Sequence, residues 1–121
     1  MTDRKWSVLV TGGAGFIGSH LCNHYNSVDN NIVSLDNYIS GSIQNHINGV
    51  EYLNMDVLNI NKVKNNFDLI FHLGEYSRVE KSLEKADFVL HNNLDPTLEI
   101  LDFCRKNNSK LIYAGSSTKF A

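Results

Sequence analysis

The chain has 121 residues, of which 42% are hydrophobic and 20% charged, a composition that suits one globular domain and leaves no room for two. Folding at this length buries roughly 65% of the extended surface, enough for a core without disulfides or metal. A formal charge of −2 and a pI near 6.2 exclude the basic field that would hold a nucleic-acid backbone or a membrane surface. The longest apolar runs, such as Leu69–Phe71, fall far short of the ~20 residues of a membrane span. Met1–Lys5 opens without the apolar segment of a signal peptide, so a cytoplasmic location is expected. Cys22 and Cys104 are too few and too far apart for a disulfide framework or a zinc site, and are expected to be small buried apolar residues.

Trp6–Val10 is a short apolar run stopped by Thr11-Gly12-Gly13, which predicts a strand buried on both faces. From Gly15 onward Phe16, Ile17, Leu21 and Tyr25 recur at helical spacing, and 28–31 supply a turn. Ile32–Asp36 is the second strand. The polar stretch 37–49 reads as surface loop, with one short helix around Ile43–His46. Val50–Met55 is the third strand. Residues 56–66 form a weak short helix with Leu58, Ile60 and Val63 on one face, and Asp68–Leu73 is the fourth strand. Residues 82–107 are helical in pattern, with Leu83, Phe88, Leu94, Leu98, Leu101 and Phe103 near one side. Pro96 either kinks this helix near Asn92, the favoured outcome, or starts a fresh one capped by Asp95. Lys110–Ala114 is the fifth strand. Sixteen asparagines and a single proline imply turns built on Asn and Gly, which tolerate left-handed backbone. Strands alternating with helices predict an α/β fold: a doubly wound parallel sheet of five strands in the order 3-2-1-4-5.

Gly12, Gly15 and Gly18 sit between the first strand and the first helix. In that setting Gly12 permits a tight turn, Gly15 lets a pyrophosphate approach the backbone, and Gly18 lets helix and strand pack closely. The helix N-terminus then offers its unpaired amides to the anion. Asp36 ends the second strand 24 residues beyond Gly12, where a carboxylate can accept from an adenosine ribose. No lysine or arginine lies between Asp36 and Gly49 to receive a 2′-phosphate, so NAD is expected rather than NADP. The alternatives are a structural glycine turn and a loop-initiating aspartate.

These residues resemble the extended short-chain dehydrogenase/reductases, and within them the NAD-dependent nucleotide-sugar epimerases and dehydratases typified by UDP-glucose 4-epimerase. Val8 to Leu21, with its Thr11-Gly12-Gly13-Ala14-Gly15-Phe16-Ile17-Gly18 core, is close to that family's opening motif, and Leu35-Asp36-Asn37 is similar to its ribose-binding strand end. Met55-Asp56-Val57 resembles the adenine contact, Phe71-His72-Leu73-Gly74 the stretch beside the pyrophosphate and ribose, and Asn92-Asn93 the paired asparagines of the next helix. The resemblance implies a Rossmann-like domain over residues 1–121. Its cofactor residues would be Gly12, Gly15, Phe16, Ile17, Gly18, Asp36, Asn37, Asp56, Val57, Leu73 and Gly74. It also implies that Gly115-Ser116-Ser117-Thr118 carries the first catalytic hydroxyl, at Ser116, with a Ser/Thr turn as the alternative. In the family that hydroxyl bonds the sugar oxygen being oxidised, while a tyrosine removes its proton and a lysine lowers the tyrosine's pKa.

Four departures qualify the match. Gly74-Glu75 stands where two small apolar residues are usual, Pro96 replaces a common glycine, and Lys119-Phe120-Ala121 replaces a Val-Tyr-Gly ending. None of the tyrosines at 25, 38, 52, 76 and 113 has a lysine four positions later. The expectation is therefore the NAD-binding part of such an enzyme, truncated before the last strands, which binds cofactor and turns nothing over. The alternative is a non-catalytic nucleotide-binding module completed by a second copy or another chain along the fifth strand, whose edge would be open. A nucleotide sugar is the implied substrate. His20 and His24 are read as helix-surface residues rather than metal ligands, His72 as a core hydrogen-bonding residue, and Arg78, Lys81 and Lys85 as a solvated face.

Overall fold

The computed structural model describes residues 5–27, 30–39, 41–64, 66–73 and 86–113, and for 86–96 the backbone alone. The elements run β1 (Ser7–Thr11), α1 (Phe16–Ser27), β2 (Asn31–Asp36), β3 (Glu51–Asn54), β4 (Leu69–His72), α2 (Ala86–Asn107) and β5 (Lys110–Tyr113). Two 3-10 turns, Ile43–Asn45 and Val57–Lys62, precede and follow β3. All strand pairs are parallel and the sheet order is β3-β2-β1-β4-β5, the order predicted.

β1 lies at the centre because its apolar residues serve both faces. Leu9 joins Val33, Leu35 and Ile70 on the face covered by α2 and the Val57–Lys62 turn. Val8 and Val10 join Ile32 and Phe71 under Cys22 of α1. This two-sided burial is why the central strands read as unbroken apolar runs instead of alternating ones. Both cysteines are buried and reduced.

Two expectations change on folding, and the choice left open at Pro96 is decided. Residues 57–62 form a 3-10 turn and not an α-helix; it is capped by Asp56, whose Oδ1 accepts from Leu58 N–H at 3.0 Å, and Val57 and Ile60 are its buried residues. The asparagines at 59 and 61 favour such a short tight turn over a propagated helix. α2 is one helix through Pro96, so no fresh helix starts at Asp95. Its inward face is also rotated from the expected stripe: Ile100, Phe103 and Cys104 are buried, while Leu98 and Leu101 are 58% and 48% exposed. At 3.6 residues per turn Ile100, Phe103 and Cys104 share a face, and Leu98 projects about 200° from Ile100.

Left-handed backbone occurs at Gly12 (φ 77°), Gly49 (φ 93°) and Asn108 (φ 54°), the residue types expected, and also at Tyr38 (φ 63°). Asn108 ends α2, where Ser109 N–H donates to Cys104 O at 3.0 Å.

The rotated face of α2 has a direct test. Ile100→Ala is expected to cost about 2–5 kcal/mol in urea unfolding, whereas Leu98→Ala, two residues away, stays within about 0.5 kcal/mol of the parent.

Candidate cofactor-binding site

Because the sheet is parallel, the C-terminal ends of β1, β2, β3 and β4 meet at one edge, and the loops leaving them are brought together. β1 runs directly into the glycine loop. Gly12 N–H donates to Leu35 O at 2.8 Å and Gly15 N–H returns to Gly12 O at 3.1 Å, closing a tight turn with Gly12 in left-handed backbone. Gly15 O accepts the first bond of α1, from Ser19 N–H at 2.9 Å. The amides of Phe16, Ile17 and Gly18 therefore precede the first intrahelical bond, and the residue in the capping position is a glycine with no side chain to engage them. Phe16 and Ile17 are exposed, whereas Gly18 is buried against the loop backbone.

The remaining glycines separate by what surrounds them. A Cβ on Gly18 would lie 2.1 Å from Gly12 O, so Gly18 seats α1 on the loop backbone itself. A Cβ on Gly15 would meet only Gly12 O, at 3.3 Å, which leaves open space on its outer side. Gly13, which the spacing argument left without a role, lies over β2: a Cβ there would meet Ser34 Oγ at 2.2 Å and Cys22 Sγ at 3.2 Å.

Asp36 is only 7% exposed, and both carboxylate oxygens are held by backbone. Oδ2 accepts from Ala14 N–H at 3.0 Å and Oδ1 from Tyr38 N–H at 2.8 Å. Gly41 closes over it, since a Cβ at that position would come within 2.7 Å of Oδ2. Asn37 is exposed and turns its Oδ1 back onto Ile39 N–H at 3.1 Å. Met55 N–H donates to Asp36 O at 3.1 Å, which sets Asp56 beside the end of β2. Val57 is buried in the α2-side core, so its side chain is committed to packing.

On the other side of β1, Leu73 N–H is shared between Thr11 O at 3.1 Å and Thr11 Oγ1 at 3.0 Å. Thr11 Oγ1 also lies 2.7 Å from His72 Nδ1, and Thr97 Oγ1 lies 3.5 Å from His72 Nε2. His72 is thus a buried hydrogen-bonding residue that links β1, β4 and α2. Gly74 and Ser116 lie outside the described residues, as do Arg78, Lys81 and Lys85. His20 and His24 are exposed on α1, with His20 edge-on to Phe16. Among the described residues no cluster of His, Cys, Asp and Glu gathers to hold a metal ion, and no helix is long and apolar enough to cross a membrane.

Residues 8–121 match the sequence profile of the NAD dependent epimerase/dehydratase family. The chain belongs to that family. As a member of the epimerase/dehydratase family it is 31% identical over 119 residues to the UDP-N-acetyl-alpha-D-glucosaminuronate decarboxylase of Bacillus cytotoxicus, covering 93% of this chain and 37% of that protein. Its fold is similar to the UDP-N-acetylglucosamine 4-epimerase of Methanobrevibacter ruminantium solved with UDP-N-acetylmuramic acid, with TM-score 0.90 and 30% identity over 98% of this chain and 40% of that one. It is also similar to the UDP-glucose 4-epimerase of Bifidobacterium longum solved with NAD+ and UDP, with TM-score 0.81 and 30% identity over 94% and 38% of the two chains. The chain thus spans well under half the length of the relatives it matches.

Sequence reasoning picked out Gly12, Gly15, Gly18 and Asp36 but missed Ala14, Gly41 and Asn45, which bind the loops to one another. The closeness of Gly41 to Asp36 depends on how the loop after β2 folds back.

Under the glycine loop, burial pushes the Cys22 thiol from 9.0 up to about 11. Because the folded chain holds this proton more tightly than the unfolded chain does, the resulting stability is complete below pH 9 and is lost as pH rises towards 11. At pH 8 about one Cys22 in a thousand is thiolate, so iodoacetamide is expected to leave it unmodified until denaturant is added.

Proposed function

We infer that residues 1–121 form the NAD-binding domain of a nucleotide-sugar epimerase or dehydratase, with the loops at the C-terminal edge of the sheet as its cofactor site. The observation that carries this reading is the coupling of Asp36 to the glycine loop through Ala14 N–H. That bond sets a ribose acceptor and an anion-binding helix N-terminus at a fixed spacing, as one dinucleotide requires.

Three features fit the cofactor. Gly15 borders open space where a diphosphate can approach the backbone. The Phe16, Ile17 and Gly18 amides precede the first helical hydrogen bond and suit its charge. Each Asp36 oxygen accepts one backbone amide and keeps lone-pair capacity for a ribose hydroxyl. Asp56 and Val57 would border the adenine, and Asn37 and Leu73 the riboses; Gly74 and Ser116 are assigned by resemblance alone. A 2′-phosphate would face the Asp36 charge with no lysine or arginine in 37–49 to offset it, which favours NAD over NADP.

When bound, NAD supplies the hydride acceptor for transient oxidation of a sugar hydroxyl. The part of this chain is to hold the adenosine and diphosphate while keeping the nicotinamide end free. Proton removal from the hydroxyl needs a base, and the 121 residues contain no Tyr-x-x-x-Lys pair. On their own they are proposed to bind NAD without turning over UDP-galactose.

Calorimetric titration of the folded chain tests this. Saturable NAD binding is expected, with NADP weaker and Asp36→Ala weakened about tenfold or more, the scale of a lost hydrogen bond to a charged group. No heat from NAD or ADP-ribose at millimolar concentration overturns it. A second reading draws on β5, which pairs only with β4 among the described strands and leaves Ile112 and Tyr113 exposed. A second copy or another chain completing that edge would appear as a larger species in light scattering, whereas a monomer at high concentration counts against it.

A further inference from the structure

Ala14 joins three parts of the proposed site, and its backbone is engaged on both sides. Its N–H donates to Asp36 Oδ2, while its carbonyl accepts from Ser42 N–H at 3.0 Å and from Asn45 Nδ2 at 2.8 Å. Gly15 N–H, in the same peptide plane as that carbonyl, donates to Gly12 O at 3.1 Å. The Ala14–Gly15 peptide is therefore pinned by donors at its oxygen and an acceptor at its N–H.

This pinning matters because the peptide ends in glycine, whose backbone rotates at little steric cost. Half a turn of that peptide would exchange its oxygen and N–H. Ala14 O would then oppose Gly12 O, and the turn that shapes the loop below the start of α1 would open. Both bonds that hold the oxygen come from the 42–45 segment, 28 or more residues away in sequence. The Asn45 bond comes from a side chain, so it can be deleted without altering the backbone.

We propose that Asn45 is a positioning residue for the cofactor's diphosphate: it holds the Ala14 carbonyl outward and so keeps the Gly12–Gly15 turn closed. It touches no ligand itself. The 37–49 loop is thereby part of the phosphate-binding apparatus as well as a border of the ribose. This rests on the NAD-binding reading above.

The test uses the 121-residue chain and Asn45→Leu, which keeps the side chain's approximate shape and removes its donor. NAD is titrated by calorimetry, adenosine by ligand-detected NMR, and Gly15 amide exchange is followed in labelled protein. The NAD dissociation constant is expected to rise about fivefold to tenfold, the equivalent of one net hydrogen bond. Adenosine, which lacks the diphosphate, should bind unchanged, and the Gly15 amide should exchange faster while β1 and β2 stay protected. Equal weakening of both ligands, or undiminished NAD binding, overturns the proposal. An unsubstituted chain that binds no NAD overturns the cofactor reading itself, and this proposal with it. Should Asn45→Leu fail to fold, side-chain amide exchange of Asn45 in the unsubstituted chain decides: slowing on saturation with NAD supports the role, and exchange at the solvent rate with NAD bound overturns it.

Discussion

A single hydrogen bond, from Ala14 N–H to the Asp36 carboxylate, sets the spacing on which the candidate site depends. Parallel pairing of β1 with β2 brings Thr11 opposite Leu35, so the two strands end level. Level ends alone would leave the loops that follow free to diverge. The bond from Gly12 N–H to Leu35 O holds the glycine loop at its base, and the Ala14–Asp36 bond holds it two residues further on. A buried carboxylate that accepted no hydrogen bonds would be strongly unfavourable, so burial makes these two backbone donors obligatory. The same enclosure that costs solvation fixes where the carboxylate points.

Legibility in the sequence followed how local the determining physics was. The order of the sheet was readable because β1, β2 and β4 are buried on both faces, which leaves continuous apolar runs, and because Gly12-Gly13 interrupts the chain just where β1 must turn. The start of α1 was readable for the same local reason. What escaped were features set by distant partners. Leu98 and Leu101 are as apolar as Ile100 and Phe103, and only the placement of α2 over the Val57–Lys62 turn and Phe67 decides which pair is buried. At the site, Gly12 and Asp36 announce themselves by residue type and position, whereas Ala14 acts entirely through its backbone and leaves no chemical signature. Asn45 is one of sixteen asparagines, and nothing in its neighbours distinguishes it before the loop folds back.

Buried polar groups support the site from beneath with unequal success. Thr11 and His72 bond one another and Thr11 accepts from Leu73 N–H, so a serviceable polar pair aligns the ends of β1 and β4 without leaving an orphan between them. Ser34, on the neighbouring strand, is fully buried and its hydroxyl has no partner among the described residues. Its position explains its size: it lies directly under Gly13, where a longer side chain would push the glycine loop upward. Ser34 thus answers to space and Thr11 to hydrogen bonding.

Tyr38 shows where the strain in this edge has been placed. A bulky residue in left-handed backbone costs on the order of 1–3 kcal/mol, and glycine would remove that cost. Tyr38 offsets it with contacts glycine lacks. Its hydroxyl lies 2.6 Å from His46 Nε2, His46 stacks on Tyr52 with ring centres 3.6 Å apart, and the Tyr52 hydroxyl accepts from Ile47 N–H at 2.7 Å. The left-handed turn in return delivers Tyr38 N–H to Asp36 Oδ1. Burial and the Asp36 charge both raise the Tyr38 phenol above its ordinary 10.0. The two loops at this edge thus reach their shapes by opposite means. The glycine loop uses the absence of side chains, which lets its backbone pack closely, and the loop after β2 uses large side chains anchored to one another, which hold Asp36 still.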